Sequence, residues 1–113
     1  MNKIRYKKDT TPVSRWQVWM TWVDFAGSIG GKRRPVLVTE IKGDLCKIAE
    51  ISSQPPTCES DVPILDLNGA GLFTESVVRT NRIRWIPIKS LDELRGRLMS
   101  EDRQDVKVHL GVK

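Results

Sequence analysis

The chain has 113 residues, 19 of them Lys or Arg and 14 Asp or Glu, for a formal charge of +5, with 39% hydrophobic and 29% charged residues. That is enough for one compact domain and leaves little room for a second. No run reaches the ~20 apolar residues a membrane-crossing helix requires. Lys3, Arg5, Lys7 and Lys8 do not lead into the apolar core of a signal peptide. Cys46 and Cys58 are too few for a disulfide framework or a zinc site. A secreted, membrane or metal-scaffold protein is thereby disfavoured, and a cytoplasmic location is expected.

The charge is unevenly spread. Residues 1–34 carry eight basic and two acidic side chains, residues 35–78 two and seven, and residues 79–113 nine and five. The positive blocks meet the acidic middle at Lys32-Arg33-Arg34 and at Arg79, Arg82 and Arg84. Brought together by the fold, they would form a basic face suited to phosphates; left apart, they are two solvated surfaces. The acids of the middle block are read as solubilising groups.

In chain order, residues 1–14 read as a polar, basic leader ahead of a single domain over 15–113. Val18 to Phe25 is apolar and rich in β-formers, and is read as a strand buried on both faces, with Trp16, Trp19 and Trp22 as core. Gly27 to Arg34, with three glycines and three cations, is expected to be a flexible basic loop. It lacks the pattern of a triphosphate-binding loop, because Pro35 follows the cations instead of a Ser or Thr and a helix. Val36–Ile41 and Leu45–Ile51, joined by Lys42-Gly43-Asp44, predict a hairpin that ends before Pro55 and Pro56. Further short strands are expected at Val62–Leu67, at Ser76–Val78 and at Ile83–Ile86, the last two separated by Thr80-Asn81-Arg82. Ser90-Leu91-Asp92-Glu93 fits a capping box, with Gly96 cutting short the helix it would start. Ser100-Glu101-Asp102 reads as the cap and first turn of a terminal helix. The expected architecture is a small, mainly β antiparallel barrel with a C-terminal helix.

Few residues are fit for chemistry. His109 is the single histidine, Cys46 has no candidate base near it in sequence, and no carboxylate pair has persuasive spacing. What remains is a set of arginines and hydroxyls at strand ends. Arginine can hold a phosphate bidentately and stabilise charge gained in a transition state. A hydroxyl can donate to the same oxygens. Such a set suits phosphodiester chemistry on RNA, where the substrate supplies its own 2′-OH nucleophile, and it suits plain RNA binding equally well.

Trp22-Val23-Asp24-Phe25, Gly27-Ser28 and Gly30-Gly31-Lys32-Arg33-Arg34-Pro35-Val36-Leu37-Val38, followed by Ile51-Ser52-Ser53-Gln54 and Ser76-Val77-Val78-Arg79-Thr80-Asn81-Arg82-Ile83-Arg84, resemble the MazF/PemK toxins in order and spacing over about residues 16–112. The resemblance implies an SH3-like (MazF/PemK/CcdB-type) barrel, usually a homodimer, that cleaves single-stranded RNA without metal or cofactor. It also implies an acidic antitoxin as partner. By this resemblance Arg34, Ser52 and Arg79 correspond to catalytic positions. Gly31, Lys32, Arg33, Ser53, Gln54, Asn81 and Arg82 would line the RNA path. Asn81 stands where the PemK branch carries an aspartate, and an asparagine can orient a ribose hydroxyl but cannot take its proton. Two other outcomes stay open at this point: a toxin of the same barrel type that poisons DNA gyrase by binding it, and a non-cleaving RNA-binding barrel.

Overall fold

A computed structural model describes residues 10–24, 27 and 29–111. Residues 1–9 of the expected leader, Phe25, Ala26 and Ser28 of the expected loop, and Val112 and Lys113 lie outside the described residues. Six strands and one helix follow in order: β1 (Gln17–Asp24), β2 (Gly31–Lys42), β3 (Leu45–Ser52), β4 (Asp61–Pro63), β5 (Val77–Pro87), β6 (Glu93–Arg97) and α1 (Ser100–Leu110). All pairings are antiparallel, in the order β4-β5-β3-β2-β1-β6. The mainly β fold with a terminal helix is as expected, but the sheet is not closed into a barrel by hydrogen bonds. β4 and β6 are its two edges. β4 is only three residues long and ends on Pro63, which has no amide to extend a ladder.

Period-two alternation builds a core on each face of the sheet. Val18, Leu37, Ala49, Ile51 and Val78 turn to one side, where Leu98, just after β6, and Val106 of α1 pack on them. Trp19, Val36, Val38, Cys46 and Ile48 turn to the other, with Leu91. β1 is thus buried on both faces over its first half, as its sequence predicts, but its end is not. Trp22 is exposed, its indole N–H donating to the Asp24 carboxylate at 2.9 Å, so it is not core. Trp16 is buried in an αL conformation, φ 73°, a costly choice for an aromatic residue. Its amide donates to Val38 O, and its carbonyl accepts from Leu98 N–H, each at 2.7 Å.

Several elements differ from the sequence expectation for physical reasons. The basic stretch is not a loop: β2 starts at Gly31, and Lys32, Arg33 and Arg34 pair with Val23, Trp22 and Thr21. β1 supplies a backbone ladder for this stretch, and the local glycines do not prevent it. Gly43, at φ 59°, makes the tight β2–β3 turn. The Val62–Leu67 strand shrinks to β4. The two late strands are a single strand, β5, whose register against β3 jumps from Ile83↔Ala49 to Arg79↔Glu50. Thr80, Asn81 and Arg82 are the residues the bulge accommodates. The capping-box segment forms a short 3₁₀ turn (Ile88–Ser90) and then β6 in place of a helix. Asp92 and Glu93 turn to Arg33, and a Cβ on Gly96 would sit 2.4 Å from the Gly69 carbonyl, so this close strand crossing needs glycine. Ser100 is the first helical residue and not the cap. The buried Asp102 carboxylate instead accepts the Leu65 and Asp66 amides, both at 2.9 Å, and ties α1 to the segment after β4.

Candidate functional site

The register of β2, β3 and β5 decides what meets at their ends. Val36 pairs with Glu50, so Arg34, two residues earlier, and Ser52, two residues later, continue the same rows on the same face. Across the other edge of β3, Glu50 pairs with Arg79, and on the far side of β5 Arg79 pairs with Asp61 of β4. The result is a cleft of about 610 Å³ lined by Arg34, Glu50, Ser52, Arg79, Arg82 and Arg84, with Asp24, Gln54 and Thr57 also at its walls. Arg34 of the first basic group and Arg79, Arg82 and Arg84 of the second, with 45 residues from Arg34 to Arg79 in sequence, therefore face one cleft.

Ser52 and Arg79 are held with particular care. Arg79 Nη2 donates to Ser52 Oγ at 3.1 Å while Nη1 donates to Asp61 Oδ2 at 3.0 Å, and the Gln54 amide also donates to Ser52 Oγ at 3.1 Å. The guanidinium is thus spread between a hydroxyl in the cleft and a buried carboxylate behind it. Asp61 Oδ2 accepts further bonds from the Thr57 amide and hydroxyl, both 2.9 Å. The Thr57 amide first, then its hydroxyl and the nearby charges of Arg79 and Arg82, hold the Asp61 carboxyl below the usual range against the opposing effect of burial. Asp61 Oδ1 is buried with no hydrogen-bond partner among the described residues. Arg34, by contrast, is partly exposed, and its side chain makes no hydrogen bond or ion pair to a described residue. Its donors are open to a ligand.

Of the residues singled out from sequence, Arg34, Ser52, Arg79, Gln54 and Arg82 share this cleft. Gly31, Lys32, Arg33, Ser53 and Asn81 do not line it. Arg33 points to the opposite face, where it pairs with Asp92 and Glu93. These two carboxylates raise its pKa, and Arg33 and Arg95 together lower that of Glu93. Lys32, Arg33 and Ser53 border a neighbouring depression with Phe73 and Arg95. Asn81 is exposed in the β5 bulge. His109 lies on the exposed side of α1, its Nδ1 2.9 Å from Asp105 O, and does not line the cleft. Cys46 is buried in the core, its thiol pushed up to about 11 by desolvation, consistent with packing.

Asp61 and Glu50 are the residues that sequence reasoning missed. Both belong to the acidic middle block, whose acids the sequence alone presents as solubilising groups. Asp61 is buried and Glu50 half-buried. The available signal was position: Glu50 precedes Ser52 by two in a strand, which puts both on one face.

No curated protein matches the chain in sequence. In fold it is similar to an endoribonuclease in complex with its cognate antitoxin from a mycobacterial species, with TM-score 0.69 and 14% identity over 88% of this chain and 92% of that one. It is also similar to MazF from Deinococcus radiodurans, with TM-score 0.68 and 23% identity over 91% and 96% of the two chains. The MazF of a MazE-MazF structure from the same organism gives TM-score 0.67 and 23% identity over 91% and 95%. At these identities the likeness speaks for the fold. The family follows from the sequence itself, because the model of PemK-like, MazF-like toxins of type II toxin-antitoxin systems matches residues 14–112. With the match spanning the sheet, the cleft and the helix, the chain belongs to the PemK-like, MazF-like toxin family.

Proposed function

We propose that the chain is a toxin-type endoribonuclease that cuts single-stranded RNA in the cleft between β2, β3 and β5. The RNA 2′-oxygen attacks the adjacent phosphorus, the bond to the 5′-oxygen breaks, and the products carry a 2′,3′-cyclic phosphate and a 5′-hydroxyl. The observation that carries this reading is the convergence of Arg34, Ser52 and Arg79 on one cleft, with Ser52 held by Arg79 at 3.1 Å. The attacking oxygen comes from the substrate, so the protein's task is to orient the phosphate and stabilise the charge that builds on its non-bridging oxygens. Arg34 supplies donors free for that purpose. Arg79 is pre-oriented by Asp61, and Ser52 Oγ, already accepting two hydrogen bonds, has its own proton to donate to phosphate. Arg82 and Gln54 extend the RNA path along the same walls.

Similar folds have been solved with an antitoxin bound, which supports an acidic antitoxin segment as partner: four arginines line the cleft against two carboxylates, and an acidic chain would compete there with RNA. A homodimer and a cytoplasmic setting complete the proposal. Among the described residues no helix is long and apolar enough to cross a membrane. The reading is tested by incubating the purified chain with a mixed-sequence single-stranded RNA, with and without EDTA, and mapping the product ends. Cleavage unaffected by EDTA, with cyclic phosphate and 5′-hydroxyl ends, is expected. Intact RNA, retained in a salt-sensitive complex, would leave only a binding protein.

A further inference from the structure

The proposed reaction requires that a proton leave the 2′-hydroxyl, and the expected position for a base, Asn81, holds an amide and is exposed outside the cleft walls. Histidine is ruled out by placement, since His109 lies on α1. Three carboxylates remain at or behind the cleft: Asp24, Glu50 and Asp61. Asp61 is fully buried, and its Oδ2 already accepts three bonds, from the Thr57 amide, the Thr57 hydroxyl and Arg79. Asp24, at the exposed end of β1, accepts the Trp22 indole N–H. Glu50 differs from both. It sits mid-wall between Val36 of β2 and Arg79 of β5 in the ladder, two residues from Ser52 on the same face. Its side chain is 19% exposed, and its nearest charged neighbour, Arg84 Nη2, is 3.9 Å from Oε2, too far for a hydrogen bond. Among the described residues its oxygens accept no hydrogen bond, so their lone pairs are open to the cleft.

We infer that Glu50 is the proton acceptor of the cleavage step, an assignment that rests on the endoribonuclease reading above. Glu50 takes the proton from the 2′-oxygen as that oxygen bonds to phosphorus. The bond from phosphorus to the 5′-oxygen breaks, the departing oxygen takes a proton from water, and Glu50 returns its proton to solvent. The charged groups facing Glu50 are Arg34 from β2, Arg79, Arg82 and Arg84 from β5, and Asp24 from β1. Ser52 and the arginines hold the phosphorus, and Glu50 approaches from the β3 wall beside them.

The test compares wild type and Glu50→Gln in single-turnover cleavage of one RNA across pH. It also measures binding of the same RNA carrying a 2′-deoxy residue at the mapped cut site. Glu50→Gln preserves shape at a half-buried site without removing a hydrogen bond, and its urea midpoint checks that it folds. The expected result is a rate loss of about 10²–10³-fold, disappearance of the acid-side fall in the wild-type pH profile, and binding unchanged within about threefold. Wild-type cleavage with Glu50→Gln equally fast, or with rate and binding lost in parallel, would overturn the assignment and leave the endoribonuclease reading standing. A wild-type protein that leaves RNA intact would instead defeat that reading, and this assignment with it.

Discussion

Arg79→Ala is expected to lower both activity and stability, the only one of the three proposed catalytic positions to do so strongly. Its guanidinium donates at once to Ser52 Oγ and Asp61 Oδ2. Removing it takes a charge-stabilising donor from the cleft, worth about 10²–10³-fold in rate by analogy with other oxyanion donors. It also strips a charge partner from a carboxylate whose side chain is fully buried, while Arg79 itself is only 17% exposed. Breaking such a pair by removing one member costs roughly 3–5 kcal/mol. Because Asp61 keeps the Thr57 amide and hydroxyl, a loss of about 2–3 kcal/mol is expected here. The pH dependence has a definite sign. Asp61 titrates below its ordinary value in the folded chain, so the stability it contributes is fully present above the unfolded pKa, about 3.9, and is lost as pH falls through the lower folded value. Without Arg79, burial still opposes the charge while one of the groups favouring it is gone. Acid unfolding should therefore begin at higher pH in the variant. Urea titrations at a series of pH values, run beside single-turnover cleavage, measure both effects.

Arg34→Ala should separate what Arg79→Ala combines. The Arg34 side chain has no hydrogen bond or ion pair to a described residue, and it sits at a partly exposed strand position. Its loss should leave the unfolding free energy from urea titration within about 0.5 kcal/mol of wild type. Cleavage should nevertheless fall by about 10²–10³-fold, because its donors are then missing from the phosphate's charge in the transition state. Arg34→Lys should recover only part of this, since an ammonium cannot reproduce the planar two-bond grip on two phosphate oxygens. A stability loss as large as that of Arg79→Ala would mean that Arg34 serves the fold and not the substrate.

The residues that share the cleft were legible in the sequence where local pattern and final position coincide. Ser52 ends the hairpin before the prolines, and its place at the end of β3 could be read directly, whereas Arg34 and Arg79, expected at strand ends, lie inside β2 and β5. Their meeting depends on register, in which Val36 pairs with Glu50 and Glu50 with Arg79, and that pairing is a property of the folded sheet. What could not be read depends on long-range partners. Asp92 and Glu93 look like helix-starting acids until Arg33, 59 and 60 residues away, claims them. Lys32 and Arg33 look like a loop until β1 supplies backbone partners. Asp61 looks like a surface acid until β5 buries it beside Arg79. Asn81's place outside the cleft lining depends on the bulge, which is visible only in how β5 counts against β3.

If this cleft cuts RNA through the RNA's own 2′-hydroxyl, one substitution in the substrate will show it most directly. Once the cut site of a defined RNA is mapped, the same RNA carrying a single 2′-deoxy residue on the 5′ side of that bond should bind the wild-type chain with unchanged affinity. It should remain uncut at that position. Cleavage there at the rate of the all-ribose RNA would show that the nucleophile comes from elsewhere and would contradict the account.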